Sequence, residues 1–176
     1  MPRSVLFAAL GAAIERREDH RAVFSHLSTT FEHVVHSDDV DAYALYPDAL
    51  RCVERLRTAG LRVGAVGNQP RTVERWLRDR LGDGVLVASS AAWGIAKPDA
   101  RFFERVLDVA GHPPEEVVYV GDRVDNDVLP AAAAGMRTVL VRRGPWGVIQ
   151  SDWPEAERAD ALVDGLDEAV DAILRP

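Results

Sequence analysis

Val117-Val118-Tyr119-Val120-Gly121-Asp122-Arg123-Val124-Asp125-Asn126-Asp127 reads as a short apolar strand that passes through a glycine into an aspartate-rich turn. The alanine-rich stretch that follows, to Ala134, has the composition of a helix. A strand that delivers carboxylates to a helix start is where an open α/β sheet holds a Mg²⁺ ion and a phosphate. A second strand should bring a nucleophilic carboxylate to the same place. The candidate, Ser4-Val5-Leu6-Phe7, runs instead into Ala8-Ala9-Leu10.

Strands and helices alternate on either side of that turn from Tyr46 onward. Asp48 to Leu56 carries apolar residues at helical spacing, with Gly60 where a C-terminal cap belongs. Leu61 to Val66 follows as a strand. Next come a helix with Val73, Trp76, Leu77 and Leu81 on one side and the strand Val85 to Ala88. Asp99 is the expected N-cap of a helix containing Phe102, Phe103, Val106, Leu107 and Ala110, closed by Gly111. Beyond the turn, a helix over Asp127 to Ala134 and the strand Thr138 to Val141 complete the alternation. Arg142 to Gly147 reads as a loop, and a last helix presents Leu166, Ala169, Val170 and Ile173. Such alternation predicts a parallel sheet covered on both faces.

The chain has 176 residues, enough for one well-cored domain and short for two. A formal charge of −7 opposes binding to nucleic acid or to an acidic membrane surface, both of which need a basic face. No apolar stretch approaches the roughly 20 residues of a membrane span, and Met1-Pro2-Arg3 opens no secretory signal. The single cysteine, Cys52, excludes an internal disulfide and suits a reducing cytoplasm; its place on the inner side of a helix reads as a core thiol.

Asp122 and Asp127 lie on one tight turn and repel each other unless a cation or a basic side chain sits between them. Mg²⁺ ligation is one reading, and capping of the next helix by Asn126 or Asp127 is the other. Lys97, in Gly94-Ile95-Ala96-Lys97-Pro98-Asp99, precedes a helix. From there it can reach a phosphate, or a carboxylate that binds one.

With this pairing of Gly-x-x-Lys-Pro and Gly-Asp-x-x-x-x-Asp, the chain resembles the haloacid dehalogenase-like superfamily, most of whose members are Mg²⁺-dependent phosphohydrolases. The likeness covers nearly all of the chain outside residues 15–45. It implies a Rossmann-like three-layer α/β/α sandwich, a five-stranded parallel sheet of order 5-4-1-2-3, and one domain over residues 1–176. It also implies that Lys97 holds phosphate or its carboxylate partner and that Asp122 and Asp127 are the metal ligands.

The family's other two motifs have lost their chemistry. On the alignment that the resemblance gives, the nucleophile position is Ala8 and the acid/base position is Leu10. The two hydroxyl positions that hold phosphate are Ala12 and Gly67, and only the amide of Asn68 remains beside the latter. Alanine cannot attack phosphorus or bind a metal. Removing the nucleophile of a covalent mechanism costs about 10⁶ in rate. Mg²⁺ binding is accordingly expected to be weak or absent, with Lys97 then neutralising Asp122. The polar-depleted run Ala8 to Ala13 reads as natural loss rather than a single engineered change.

Residues 15–45 form an insertion after the first strand, with Val23, Phe24, Leu27, Phe31, Val34 and Val35 at helical spacing. It is a truncated, cap-like piece, too small to close over a site, and its apolar face would pack on the core or on a second copy in a homodimer. His20, His26, His33 and His36 within it read as surface histidines rather than metal ligands. Trp93 and Trp146 either line the rim of the site or close the core, and Trp153 is assigned to a loop. The leading expectation is a hydrolase homologue that binds a small phosphorylated ligand or a protein partner without turnover. The alternatives are an active phosphohydrolase using a metal-activated water, and a structural or dimerisation module.

Overall fold

The computed structural model describes residues 10–18 and 44–175. The strand expected at residues 4–7, the position of Ala8, and most of the 15–45 insertion with its four histidines lie outside these residues.

A helical segment, residues 10–15, opens the described chain. From residue 49 the order is α1 (Ala49–Thr58), β1 (Val63–Gly67), α2 (Arg71–Leu81), β2 (Val85–Ser89), α3 (Ser90–Trp93), α4 (Ala100–Ala110) and β3 (Val118–Gly121). One π-helical turn, Val124–Val128, leads into α5 (Leu129–Ala133). Then come β4 (Arg137–Val141), α6 (Gly144–Gln150), β5 (Ala161–Val163) and α7 (Leu166–Leu174).

All described strand pairs are parallel: β1 with β2, and β3 with β4 with β5. This is the Rossmann-like mixture of parallel sheet and helices that the alternation predicts. The expected order calls for both the β1–β2 and the β3–β4 neighbours; the strand that would join the two groups belongs to residues 4–7, outside the described chain.

Two features differ from the sequence reading. The expected loop at Arg142 to Gly147 becomes the start of α6, because Pro145 stands in its first turn, where the missing N–H costs nothing. The three residues Ala161–Val163 form the extra strand β5, too short for an alternation pattern to reveal it. Asp48 stands at the N-cap of α1 but makes no side-chain cap there.

The core follows the apolar faces. Phe102, Phe103 and Val106 of α4 are buried against Tyr119 and Met136, each large side chain contributing about 1.5–3 kcal/mol by leaving water. The α4 start is fixed by Asp99, whose carboxylate accepts the Arg101 N–H at 2.9 Å, and its end by Gly111 in the left-handed conformation. Trp93 packs on Phe102 with ring centroids 5.2 Å apart, so it closes the core. Trp153 joins a second cluster around Val124, Val128 and Leu140.

Candidate active site

The aspartate-rich turn sits where β3 ends, at the carboxyl edge of the parallel sheet. Gly121 is required there. A Cβ on it would come within 2.5 Å of the Asp127 side chain, which folds back over the strand end. One carboxylate oxygen of Asp127 accepts the Arg123 N–H at 3.1 Å. This closes the turn on itself, as a capping residue does when it reaches back to an unpaired N–H.

The other oxygen of Asp127 is paired with the Lys97 ammonium, and both side chains are largely buried. Burial works against the charge of Lys97, but Asp127 outweighs it and the amine is held above its ordinary pKa. Among the described residues Asp122 has no such ion-pair partner. Burial first, and then the charge of Asp127, push its carboxyl up to about 6. Lys97 therefore neutralises Asp127 rather than Asp122. Beneath the pair, the buried Tyr119 ring lies 5.6 Å from the ammonium, and burial drives its phenol up to about 12.

Lys97 is held from its main chain. The Asn68 amide donates to the Lys97 carbonyl at 2.9 Å and accepts the Lys97 N–H at 2.8 Å. Asn68 was singled out in the sequence as a phosphate donor; in the structure its amide clamps the loop that presents Lys97. Gly67, one residue earlier, ends β1, and a Cβ there would meet only Gln69 Cγ at an ordinary 3.7 Å.

Leu10 is 5% exposed and heads the helical segment, followed by the half-buried Ala12 and the fully buried Ala13. Gly11 lies against Ile149 of α6, whose Cδ1 would be 3.5 Å from an added Cβ. The segment thus packs as core.

Sequence reasoning missed several residues that shape the site. Gln150 of α6, 1% exposed, accepts the Val124 N–H at 2.6 Å and donates to Asp125 at 3.1 Å. Asp125 is gripped by Arg123 at 3.0 and 2.7 Å, which holds its carboxyl below the usual range despite burial. The Arg123 guanidinium lies 5.3 Å from the Trp146 ring, so Trp146 stands beside the turn. On the other flank Asp48 receives Arg143 at 2.9 and 2.7 Å and the Leu166 N–H at 3.0 Å. The Arg143 hydrogen bonds hold its carboxyl well below the usual range. Arg143 also stacks 4.5 Å over Tyr46. An aspartate one residue before a helix signals a cap; only the fold shows that this one caps a different helix.

A parallel α/β domain with a glycine–aspartate loop at the carboxyl edge of its sheet and a buried lysine against that loop is, as a class, a Rossmann-like α/β domain with its candidate site at the sheet's carboxyl edge. The family model for haloacid dehalogenase-like hydrolases matches residues 6–135, and the chain belongs to that family. A glyceraldehyde 3-phosphate phosphatase of Methanocaldococcus jannaschii is 34% identical over 134 residues, 73% of this chain and 56% of that protein. A phospholysine phosphohistidine inorganic pyrophosphate phosphatase of Danio rerio is 45% identical over 80 residues, 46% of this chain and 29% of that protein. The chain spans about half the length of the curated relatives it matches. Among solved structures, a HAD phosphatase from Thermococcus onnurineus superposes with a TM-score of 0.65 at 19% identity, covering 97% of this chain and 89% of its own. A HAD family hydrolase from Deinococcus radiodurans R1, solved with bound phosphate and sodium, gives 0.62 at 17% identity, covering 98% and 91%. At these identities the likeness speaks for the fold. No helix among the described residues is long and apolar enough to cross a membrane.

Proposed function

We propose that this chain is a phosphatase-type hydrolase homologue that has lost phosphoryl transfer and works by binding a ligand or a partner. The observation that carries the reading is Leu10. At the position where the family pattern calls for an acid/base carboxylate, this chain has an apolar side chain 5% exposed, packed as core. Ala8 offers no nucleophile, and Ala12 and Gly67 offer no hydroxyl for a phosphate oxygen.

The retained aspartates do not fit a Mg²⁺ centre well. Both oxygens of Asp127 are engaged, by Lys97 and by the Arg123 N–H, which leaves Asp122 as the one member of the pair with open oxygens. Mg²⁺ demands near-octahedral oxygen ligation and dehydrates reluctantly, so a single carboxylate holds it weakly. Lys97 instead supplies the positive charge from within. What remains is a charge-balanced pocket edge, suited to recognition. The kinship with phosphatases supports the ancestry of the site and carries no substrate over. Cys52, half-buried, with its thiol pushed up by burial, fits a reducing compartment such as the cytoplasm.

Phosphate release from a panel of phosphate esters, with and without Mg²⁺, tests the reading. Release at background is expected. Metal-dependent turnover that Asp122→Asn abolishes overturns it. As a converse, Ala8→Asp with Ala12→Thr and Gly67→Ser should regain measurable turnover, since nothing near Gly67 obstructs a side chain.

A further inference from the structure

Next to Asp122 lies a pocket of about 140 Å³ whose wall includes Tyr46, Asp122, Arg143 and Leu166. Its guanidinium is fixed before any ligand arrives. Arg143 is locked by its double hydrogen bond to Asp48, and Asp48 is itself tied to the Leu166 N–H at 3.0 Å. Gly165 permits this, because a Cβ on it would lie 2.8 Å from an Arg143 nitrogen. Two of the five guanidinium N–H donors serve Asp48, and the others have no bonded partner among the described residues. In the same wall, a carboxyl oxygen of Asp122 and the Tyr46 hydroxyl both flank Gly144, 3.7 and 3.9 Å from where its Cβ would stand. Tyr46 is 54% exposed and forms the mouth.

The charges decide what class of molecule fits. Arg143 is answered by Asp48 and Lys97 by Asp127, so neither of these two cations is left over for an anion, and Asp122 repels one. A cationic ligand would meet the Arg143 guanidinium already lying on the Tyr46 ring. An uncharged molecule is opposed by neither. A carboxyl oxygen that accepts, guanidinium groups that donate and a phenol that does both match neighbouring hydroxyls, each of which donates once and accepts. The other side chains described in the wall, Val120, Val141 and Leu166, are apolar and suit a carbon backbone. The volume equals that of about five waters, given a share of about 30 Å³ per water in the liquid, so it admits only a small molecule of about that size.

We propose that this pocket binds a small uncharged polyol, its vicinal hydroxyls shared among Arg143, Asp122 and Tyr46. The proposal rests on the binding reading of the site, and deepens it by naming a ligand class that carries no phosphate.

Amide-resolved NMR titration of the full chain with glycerol, propane-1,3-diol and inorganic phosphate tests it. Saturable shifts at the Gly121, Asp122 and Gly144 amides are expected with glycerol, with dissociation in the millimolar range. Propane-1,3-diol, which lacks adjacent hydroxyls, should bind more weakly. Tyr46→Phe keeps the ring under Arg143 and removes one hydrogen bond, so glycerol binding should weaken by roughly three- to tenfold. Glycerol shifts that stay linear, equal binding of the 1,3-diol, an unchanged Tyr46→Phe titration, or saturation of the same amides by phosphate each overturn the assignment. Phosphate-ester turnover is read separately, so a failure of the binding-only reading is distinguishable from a failure of the polyol assignment.

Discussion

Lys97 and Asp127 form an ion pair with side chains 12% and 3% exposed, the lysine on the loop before α4 and the aspartate in the turn after β3. The contact links the two halves of the site and spends the positive charge that a phosphate would otherwise meet. Its energetics follow from burial: two charges out of water are tolerated only together.

Lys97→Met therefore leaves Asp127 charged and unanswered in the interior. A loss of about 3–5 kcal/mol is expected by urea denaturation. The double variant Lys97→Met/Asp127→Leu should lose clearly less than the sum of the two single changes, which a double-mutant cycle measures.

Asp122→Asn should change the pH dependence of stability. With a folded pKa raised to about 6, against about 3.9 unfolded, the folded state holds the proton more tightly. Stability from this group is thus fully present below about pH 4, falls as pH rises toward 6, and is lost above it. The asparagine variant removes that fall, so at pH 7 it should exceed the parent by on the order of 2–3 kcal/mol. Equal stability of the two proteins from pH 4 to 7 would contradict the raised pKa.

Gly121→Ala places a Cβ 2.5 Å from Asp127 and forces that side chain off its two partners. A destabilisation of roughly 1–3 kcal/mol is expected. The Arg123 amide should lose hydrogen-exchange protection, because its acceptor moves.

Gln150→Leu keeps the volume of a buried side chain while orphaning the Val124 N–H, which it now holds at 2.6 Å. A buried donor without an acceptor costs about 1–3 kcal/mol. Thermal unfolding should show it, and faster exchange at the Val124 amide would locate the loss in the turn.

Much of the fold was legible because its signals are local. The apolar runs at β1 to β4, the cap at Asp99 and the glycine at Gly111 need only neighbours within one turn or strand to make sense. The turn from Gly121 to Asp127 was equally readable, as was Lys97 ahead of α4. The short strand β5 was not, since three residues give no period, and α6 hid behind a glycine and a proline that also suit a loop.

Partnerships across the chain were beyond such reading. Asp48 stands at the start of a stretch read only as a helix, yet its carboxylate serves Arg143 and Leu166, more than ninety positions away. Asn68 looks like a phosphate donor and is occupied by the Lys97 main chain. Gln150 carries no motif at all, because a buried amide is recognisable only once the turn it supports is folded against it.

By itself the sequence determined the family, the alternating α/β architecture and the absence of a carboxylate or hydroxyl at Ala8, Leu10, Ala12 and Gly67, since these depend on residue identity and short-range spacing. Only the tertiary structure decided that Lys97 pairs with Asp127 rather than with Asp122. That choice is made by distance and burial, which are set when β3, the loop before α4 and α6 pack together.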